Sequence, residues 1–213
     1  MKKTIIVVST IITVAIFLWI LWSFLVVNNL EEPQFNIIKK MNWYETRQYS
    51  DYIVAEVEVT WDQNTALNTG FRLLAGYIFL WNSRNDSIAM TVPVSEQVKE
   101  WEQISMTTPV SNTIWENGKR IIQFSMPSKY TLEDLPTPNN SRVSLKKIPW
   151  YKAAVLRYSW YASEQKVEKM KDTLLTLLSQ DKQEMISEAV SAQYNPPLSF
   201  PLTRRNEIII RIK

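Results

Sequence analysis

The chain has 213 residues and a formal charge of +3, from 24 basic and 21 acidic residues, with neither histidine nor cysteine. Those two absences exclude Ser-His-Asp and Cys-His catalysis, His-ligated zinc or haem iron, disulfides, thiolate metal sites and a lipidated-cysteine anchor. Setting Lys2 and Lys3 aside leaves 22 basic against 21 acidic residues, so no basic footprint for nucleic acid is present, and three glycines do not make a phosphate-cradling loop.

Residues 4–27 carry no charge. As a helix they reach about 36 Å, enough to cross a hydrocarbon core of about 30 Å with some tilt. Lys2 and Lys3 precede the run, and Glu31 and Glu32 follow it. The positive-inside rule then leaves the N-terminus in the cytosol and the domain outside the cytoplasmic membrane. The alternative is a cleaved signal peptide. Its apolar region would be shorter and end in small residues, whereas this run continues through Trp19, Trp22, Phe24 and Leu25. The expected organisation is an anchor over 1–30 and one domain over 31–213.

Within the domain, Leu67, Phe71, Leu74, Ile78 and Trp81 recur at steps of three and four, which predicts a helix over 65–81. Val167, Met170, Leu174, Leu177 and Leu178 predict a second over 163–180, with Ser163 as N-cap. Alternating stripes predict strands: Ile53, Ala55, Val57 and Val59; Ile122, Phe124 and Met126; Ile208, Ile210 and Ile212; and the run 153–156. The order suggests an α+β fold of two β-α-β-β units, meeting near Asn117 and Gly118 and leaving a cleft or open barrel between their sheets. A local repeat, IAMTVPVS at 88–95 and ISMTTPVS at 104–111, reads either as two paired strands or as two loops lining one cavity.

The first copy of that repeat, IAMTVPV, resembles the signature of the SOUL haem-binding family. YETRQY at 44–49, ALNTGFRLL at 66–74, GYIF at 76–79, FSMPS at 124–128, LPTP at 135–138, YNPP at 194–197 and RRNE at 204–207 resemble further family segments, in order, across 34–213. The resemblance implies a pseudo-twofold β-α-β-β duplication forming a distorted open barrel, similar to the effector-binding domains of bacterial multidrug regulators. It also implies a hydrophobic groove accepting haem or another tetrapyrrole. This chain departs from the His-ligated members, so iron would be held by Tyr or Met, or the macrocycle by packing and propionate contacts alone.

Carried over from the family, the groove runs along the first helix, the loop before the Met-Thr-x-Pro-Val strand and the Pro-Pro loop. The candidate ligand contacts are Phe71, Leu74, Ile78, Arg84, Met90, Tyr194, Pro196, Pro197, Phe200 and Arg204. Phe71, Leu74 and Ile78 also form the stripe of an ordinary helix core. Arg84 and Arg204 are the candidate propionate partners and Tyr194 the candidate oxygen ligand, while Arg205 and Glu207 read as an internal pair. Trp43, Trp61, Trp101, Trp115 and Trp150 sit among polar or turn residues, where some would face the membrane surface. The expectation is a non-enzymatic, membrane-anchored protein for haem or a similar flat apolar ligand. The alternatives are a hydrolase using Glu56 or Glu207, and a protein-interaction module at the membrane.

Overall fold

The computed structural model describes residues 2–28, 30–60, 63–99 and 119–213. In chain order the elements are helix α1 (Lys2–Asn28) and strands β1 (Phe35–Lys40), β2 (Glu45–Tyr49) and β3 (Tyr52–Val59), then helix α2 (Gln63–Ile78). Strands β4 (Val94–Lys99), β5 (Lys119–Ser125), β6 (Val143–Ile148) and β7 (Tyr151–Tyr158) lead to helix α3 (Glu164–Gln180). Strand β8 (Val190–Gln193), a 3-10 turn (Pro201–Thr203) and β9 (Asn206–Ile212) complete the chain. The second repeat copy at 104–111, Asn117, Gly118, Trp61, Trp101 and Trp115 lie outside the described residues.

Among the described residues the strands form one antiparallel sheet in the order β1-β2-β7-β9-β8-β4-β5-β3-β6. The duplication is visible in it. The unit β3-α2-β4-β5 has the local order β4-β5-β3, and β7-α3-β8-β9 has β8-β9-β7. The units join through β4 and β8, Val94 opposite Gln193. This is the α+β half-barrel expected, but the join differs. Strand β5 pairs with both β3 and β4 and so belongs to the first unit, which places the boundary beyond Ser125 rather than near Asn117 and Gly118.

Strand pairing also crosses between the units. Only Ser50 and Asp51 separate β2 from β3, yet β2 pairs with β7, and β6 pairs with β3 although only Pro149 and Trp150 separate it from β7. Three residue steps span at most about 11 Å, so opposite halves of the sheet are held close together and it must curl. Tyr52 and Tyr151 meet hydroxyl to hydroxyl at 3.1 Å across that closure, and Tyr151 stacks on Tyr49.

Both helices pack on one face of the sheet. Ala66, Leu74, Tyr77 and Ile78 of α2 lie on Ile53, Ala55, Val57 and Val59, the predicted stripe. Gly70 is required there because a Cβ would stand 2.5 Å from Ile122 Cγ1. The helix ends at Ile78 rather than Trp81. Leu80 turns into the left-handed region at φ 80°, and the Ile78 carbonyl accepts from the Ile88 amide at 2.8 Å. Leu174 and Leu178 of α3 cover Ile208, Ile210 and Ile212, and Ser163 caps that helix as expected, accepting from the Lys166 amide. Each such leucine contributes roughly 1.5–3 kcal/mol by burial.

Candidate ligand-binding site

The period of two that aims one stripe at the helices aims the alternate residues into the concavity. From β2 come Arg47 and Tyr49, from β7 Tyr151, and from β9 Glu207, Ile209 and Arg211. Tyr49, Val92, Ala153, Val155, Ala192, Tyr194 and Ile209 form its apolar cluster.

A buried charge network closes one end. Glu207 is fully buried and Arg47 is 3% exposed. Arg47 donates from both terminal nitrogens to Glu207, at 2.8 and 3.0 Å, and from Nε to Glu45 at 2.6 Å. Arg205 Nε donates to Glu207 at 2.9 Å, and its guanidinium pairs with Glu32 at 2.9 Å. The Tyr194 hydroxyl donates to Glu207 at 2.7 Å, and Arg205 lies 3.8 Å over its ring. Burial opposes ionisation of Glu207, but the hydrogen bonds and charges of the two arginines and the tyrosine overcome it and hold the carboxyl below its usual range. Burial, then the Glu207 charge, pushes the Tyr194 hydroxyl well above its usual range.

Beside this network lies a cavity of about 160 Å³, walled by Tyr49, Tyr52, Tyr151 and Tyr194 with Gln97, Gln123 and Arg211. Burial raises all four hydroxyls, so they are neutral at physiological pH. Arg211 lies 4.3 Å over the Tyr151 ring. Pro33, Tyr52 and Ser125 also wall a larger groove of about 590 Å³. That groove runs between the segment 31–34 and the loop 126–133, with apolar surface from Ile53, Met126, Pro127, Tyr130 and Leu132. Four of its charged side chains are engaged: Lys147 pairs with Asp51 at 2.7 Å, Glu31 accepts the Ser128 amide at 2.8 Å, and Glu32 holds Arg205.

The sequence-predicted contacts fall into two groups. Leu74 and Ile78 are core residues beneath α2, with Met90 half-buried against the same core. Phe71 is partly exposed and packs edge-on against Phe124 at 5.3 Å. Arg84 donates to the Asp134 carbonyl from an exposed loop. The second group surrounds the C-terminal loop. Tyr194, the candidate oxygen ligand, is buried and donates its hydroxyl to Glu207. Arg204 donates to the Ser199 and Pro197 carbonyls and covers the Tyr161 ring at 4.3 Å. Phe200 packs edge-on against Trp19 of α1 at 5.1 Å, with Pro196 and Pro197 preceding it in the same loop. The segment 88–95 links the groups: Ile88 is in the α2 core and Val92 touches the concave cluster.

Sequence reasoning missed Tyr49, Tyr52, Tyr151, Gln97, Gln123 and Arg211. The signal was present in alternation. Arg211 and Glu207 interleave with Ile208, Ile210 and Ile212, and Gln123 lies between Ile122 and Phe124, on a face that reads as solvated until the sheet is known to curl.

These elements define the chain's class: a duplicated α+β half-barrel, with two helices on one face of the sheet and a tyrosine-walled concavity on the other. The chain belongs to the SOUL heme-binding protein family, whose model matches residues 30–211. It is 30% identical over 169 residues to human Heme-binding protein 2, covering 78% of this chain and 76% of that protein. Among solved structures it is similar to the EcmrR C-terminal domain, with TM-score 0.60 and 8% identity over 81% of this chain and 99% of that one. It is also similar to a hydrolase from Listeria innocua, with TM-score 0.54 and 7% identity over 83% of this chain and 94% of that one. At such identities these two likenesses show the fold alone.

Proposed function

We propose that this chain is a membrane-anchored binding protein for haem, another tetrapyrrole or a comparably flat apolar ligand, held without histidine ligation. Family membership across residues 30–211 carries the ligand class. The site we favour is the groove of about 590 Å³, which lies within the range of roughly 300–1,000 Å³ typical of small-molecule sites, whereas the inner cavity of about 160 Å³ falls below it. Tyr52, Tyr130 and Leu132 offer apolar walls there, and Lys147, exposed although paired with Asp51, is the cation that an acidic substituent would share with that carboxylate. Phe71 and Met90, which keep surface of their own, are the contacts to weigh against that groove, with Leu74 and Ile78 supporting them from behind.

The chain has no histidine to offer iron. Iron–tyrosine bonding needs a phenolate, and both burial and the neighbouring Glu207 carboxylate oppose that state at Tyr194. Packing and polar contacts to the macrocycle are therefore the favoured mode. Anchoring is supported by the apolar stretch Lys2–Leu25, of mean hydropathy 2.7, whose large side chains are exposed around the helix.

Binding is favoured over hydrolysis because the two candidate carboxylates are committed. Glu207 is clamped and ionised, while Glu56 pairs with Lys146 and accepts from the Gln123 amide. A general acid or base works best with a pKa near the operating pH. The test is a hemin titration of the full chain in detergent, followed at the Soret band, with Leu132→Glu and Phe71→Ala in parallel. Saturable one-to-one binding weakened by Leu132→Glu supports the groove. Loss with Phe71→Ala instead moves the site to the exposed edge of α2 beside Phe124. A linear rise that albumin reverses overturns the haem reading.

A further inference from the structure

We propose that the loop 196–204, with Trp160 and Tyr161 beside it, is a second membrane contact that enters the phospholipid headgroup layer at the C-terminal end of α1. This rests on the reading of α1 as a transmembrane anchor.

Two hydrogen bonds fix the depth of the loop. Trp19 Nε1 donates to the Leu198 carbonyl at 2.8 Å, and the Phe200 amide donates to Ser23 Oγ at 2.8 Å. Both α1 residues lie inside the apolar stretch Lys2–Leu25. Trp19 is six residues before Leu25, about 9 Å down the helix axis, and Ser23 about 3 Å down. Helical side chains lean toward the N-terminus, so the Trp19 indole does not climb toward the helix end. A stretch of about 36 Å exceeds a hydrocarbon core of about 30 Å by roughly one headgroup layer. A loop bonded to Trp19 therefore stands where headgroups meet hydrocarbon.

The chemistry of the loop suits that position. Leu198 and Leu202 are 75% and 63% exposed at its tip, an arrangement water disfavours and acyl chains do not. Trp160 and Tyr161, both about half exposed, add the amphipathic rings that collect at membrane interfaces. Arg204, over the Tyr161 ring and bonded to the Pro197 and Ser199 carbonyls, adds a cation to the same loop. The presentation of Trp160 is enforced. Its backbone adopts φ 86°, unfavourable for a bulky residue, and is held there by Asn206 Nδ2 on its carbonyl at 2.7 Å and by its amide on the Pro201 carbonyl at 3.1 Å. Those bonds tie the aromatic pair to the same loop that meets α1.

The chain lacks cysteine, so an introduced one is a unique labelling site. The experiment reconstitutes the full chain in phosphatidylcholine–phosphatidylglycerol vesicles doped in turn with headgroup, shallow-acyl and mid-chain nitroxide lipids, the mid-chain probe reporting on the buried stretch of α1. An environment-sensitive fluorophore is placed at Leu198→Cys, Leu202→Cys, Ile12→Cys within α1, and Gln180→Cys, about 24 Å along α3 from Glu164. Labels at 198 and 202 are expected to emit to the blue and lose fluorescence to the nitroxides, while the label at 180 does neither. Equal quenching at 198, 202 and 180, with the label at 12 quenched, overturns the second contact and leaves the anchor intact. If the label at 12 also escapes quenching, the anchor reading fails and the second contact fails with it.

Discussion

Glu207→Gln tests the charge network at the closed end of the concavity. The carboxylate takes four hydrogen bonds, two from Arg47, one from Arg205 and one from Tyr194. Glutamine keeps the shape but removes the charge and turns an amide donor toward guanidinium groups. Arg205 retains Glu32 in part-exposed surroundings, while Arg47, almost wholly buried, keeps Glu45 and the neutral Tyr49 hydroxyl. Removing one partner of a buried pair costs about 3–5 kcal/mol. For a domain of this size, each kcal/mol moves Tm by roughly 2–4 °C, so the variant should melt about 6–20 °C lower. Its pH dependence has a definite sign. The folded carboxyl lies below its unfolded value of about 4.3, so its contribution is complete above that pH and disappears as the pH falls through the folded value. The gap between wild type and variant should therefore close on acidification. Thermal unfolding of the full chain in detergent, from pH 7 down to pH 3, reads both quantities. A Tm unchanged at pH 7, or a gap that widens in acid, refutes the argument. Arg47→Met combined with Glu207→Leu should cost less than the sum of the single changes, because neither charge is then left alone.

Urea midpoints of the full chain check the remaining predictions. Gly70→Ala places a methyl 2.5 Å from Ile122 Cγ1 and should destabilise by about 1–3 kcal/mol. Gly76→Ala meets Trp81 only at 3.4 Å and should be neutral or stabilising by up to about 1 kcal/mol. Leu74→Ala, in the α2 core, should cost about 2–5 kcal/mol, against little change for the exposed Leu132→Ala. Ser163→Ala removes the α3 cap and should cost about 1 kcal/mol, with Ser163→Asp restoring most of it.

Both helices and the stripes facing them were legible because each is a local pattern of period 3.6 or 2 read against one core. Ser163 was legible for the same reason, since capping involves neighbours within one turn. The site was legible only in part. Tyr194 and Arg204 looked available because their partners are Glu207 on β9, Tyr161 after β7, and carbonyls of their own loop, contacts that appear only once the chain has folded back. Glu56 and Gln123 looked like solvent-facing residues of an ordinary two-faced sheet; the β3–β5 register sets them opposite each other, on the face that the curl shelters. Trp160 was passed over, while Trp43 and Trp150, named for the membrane surface, stand in exposed turns. No local pattern announces a residue forced into the left-handed region by bonds to positions 201 and 206.

The crossing of β2 and β6 has a consequence for how such a chain arose. Each half carries, two residues before its own first core strand, an outer strand that completes the other half. Neither half is therefore a folding unit by itself, and a polypeptide of one half would expose the strand edge that the crossing now covers. Two copies of one half could satisfy the same pairing by exchanging those strands as a twofold dimer. The single chain thus has the topology of a strand-exchanged dimer made covalent. Such an arrangement lets the two halves diverge, so that one can keep a groove while the other grips a helix.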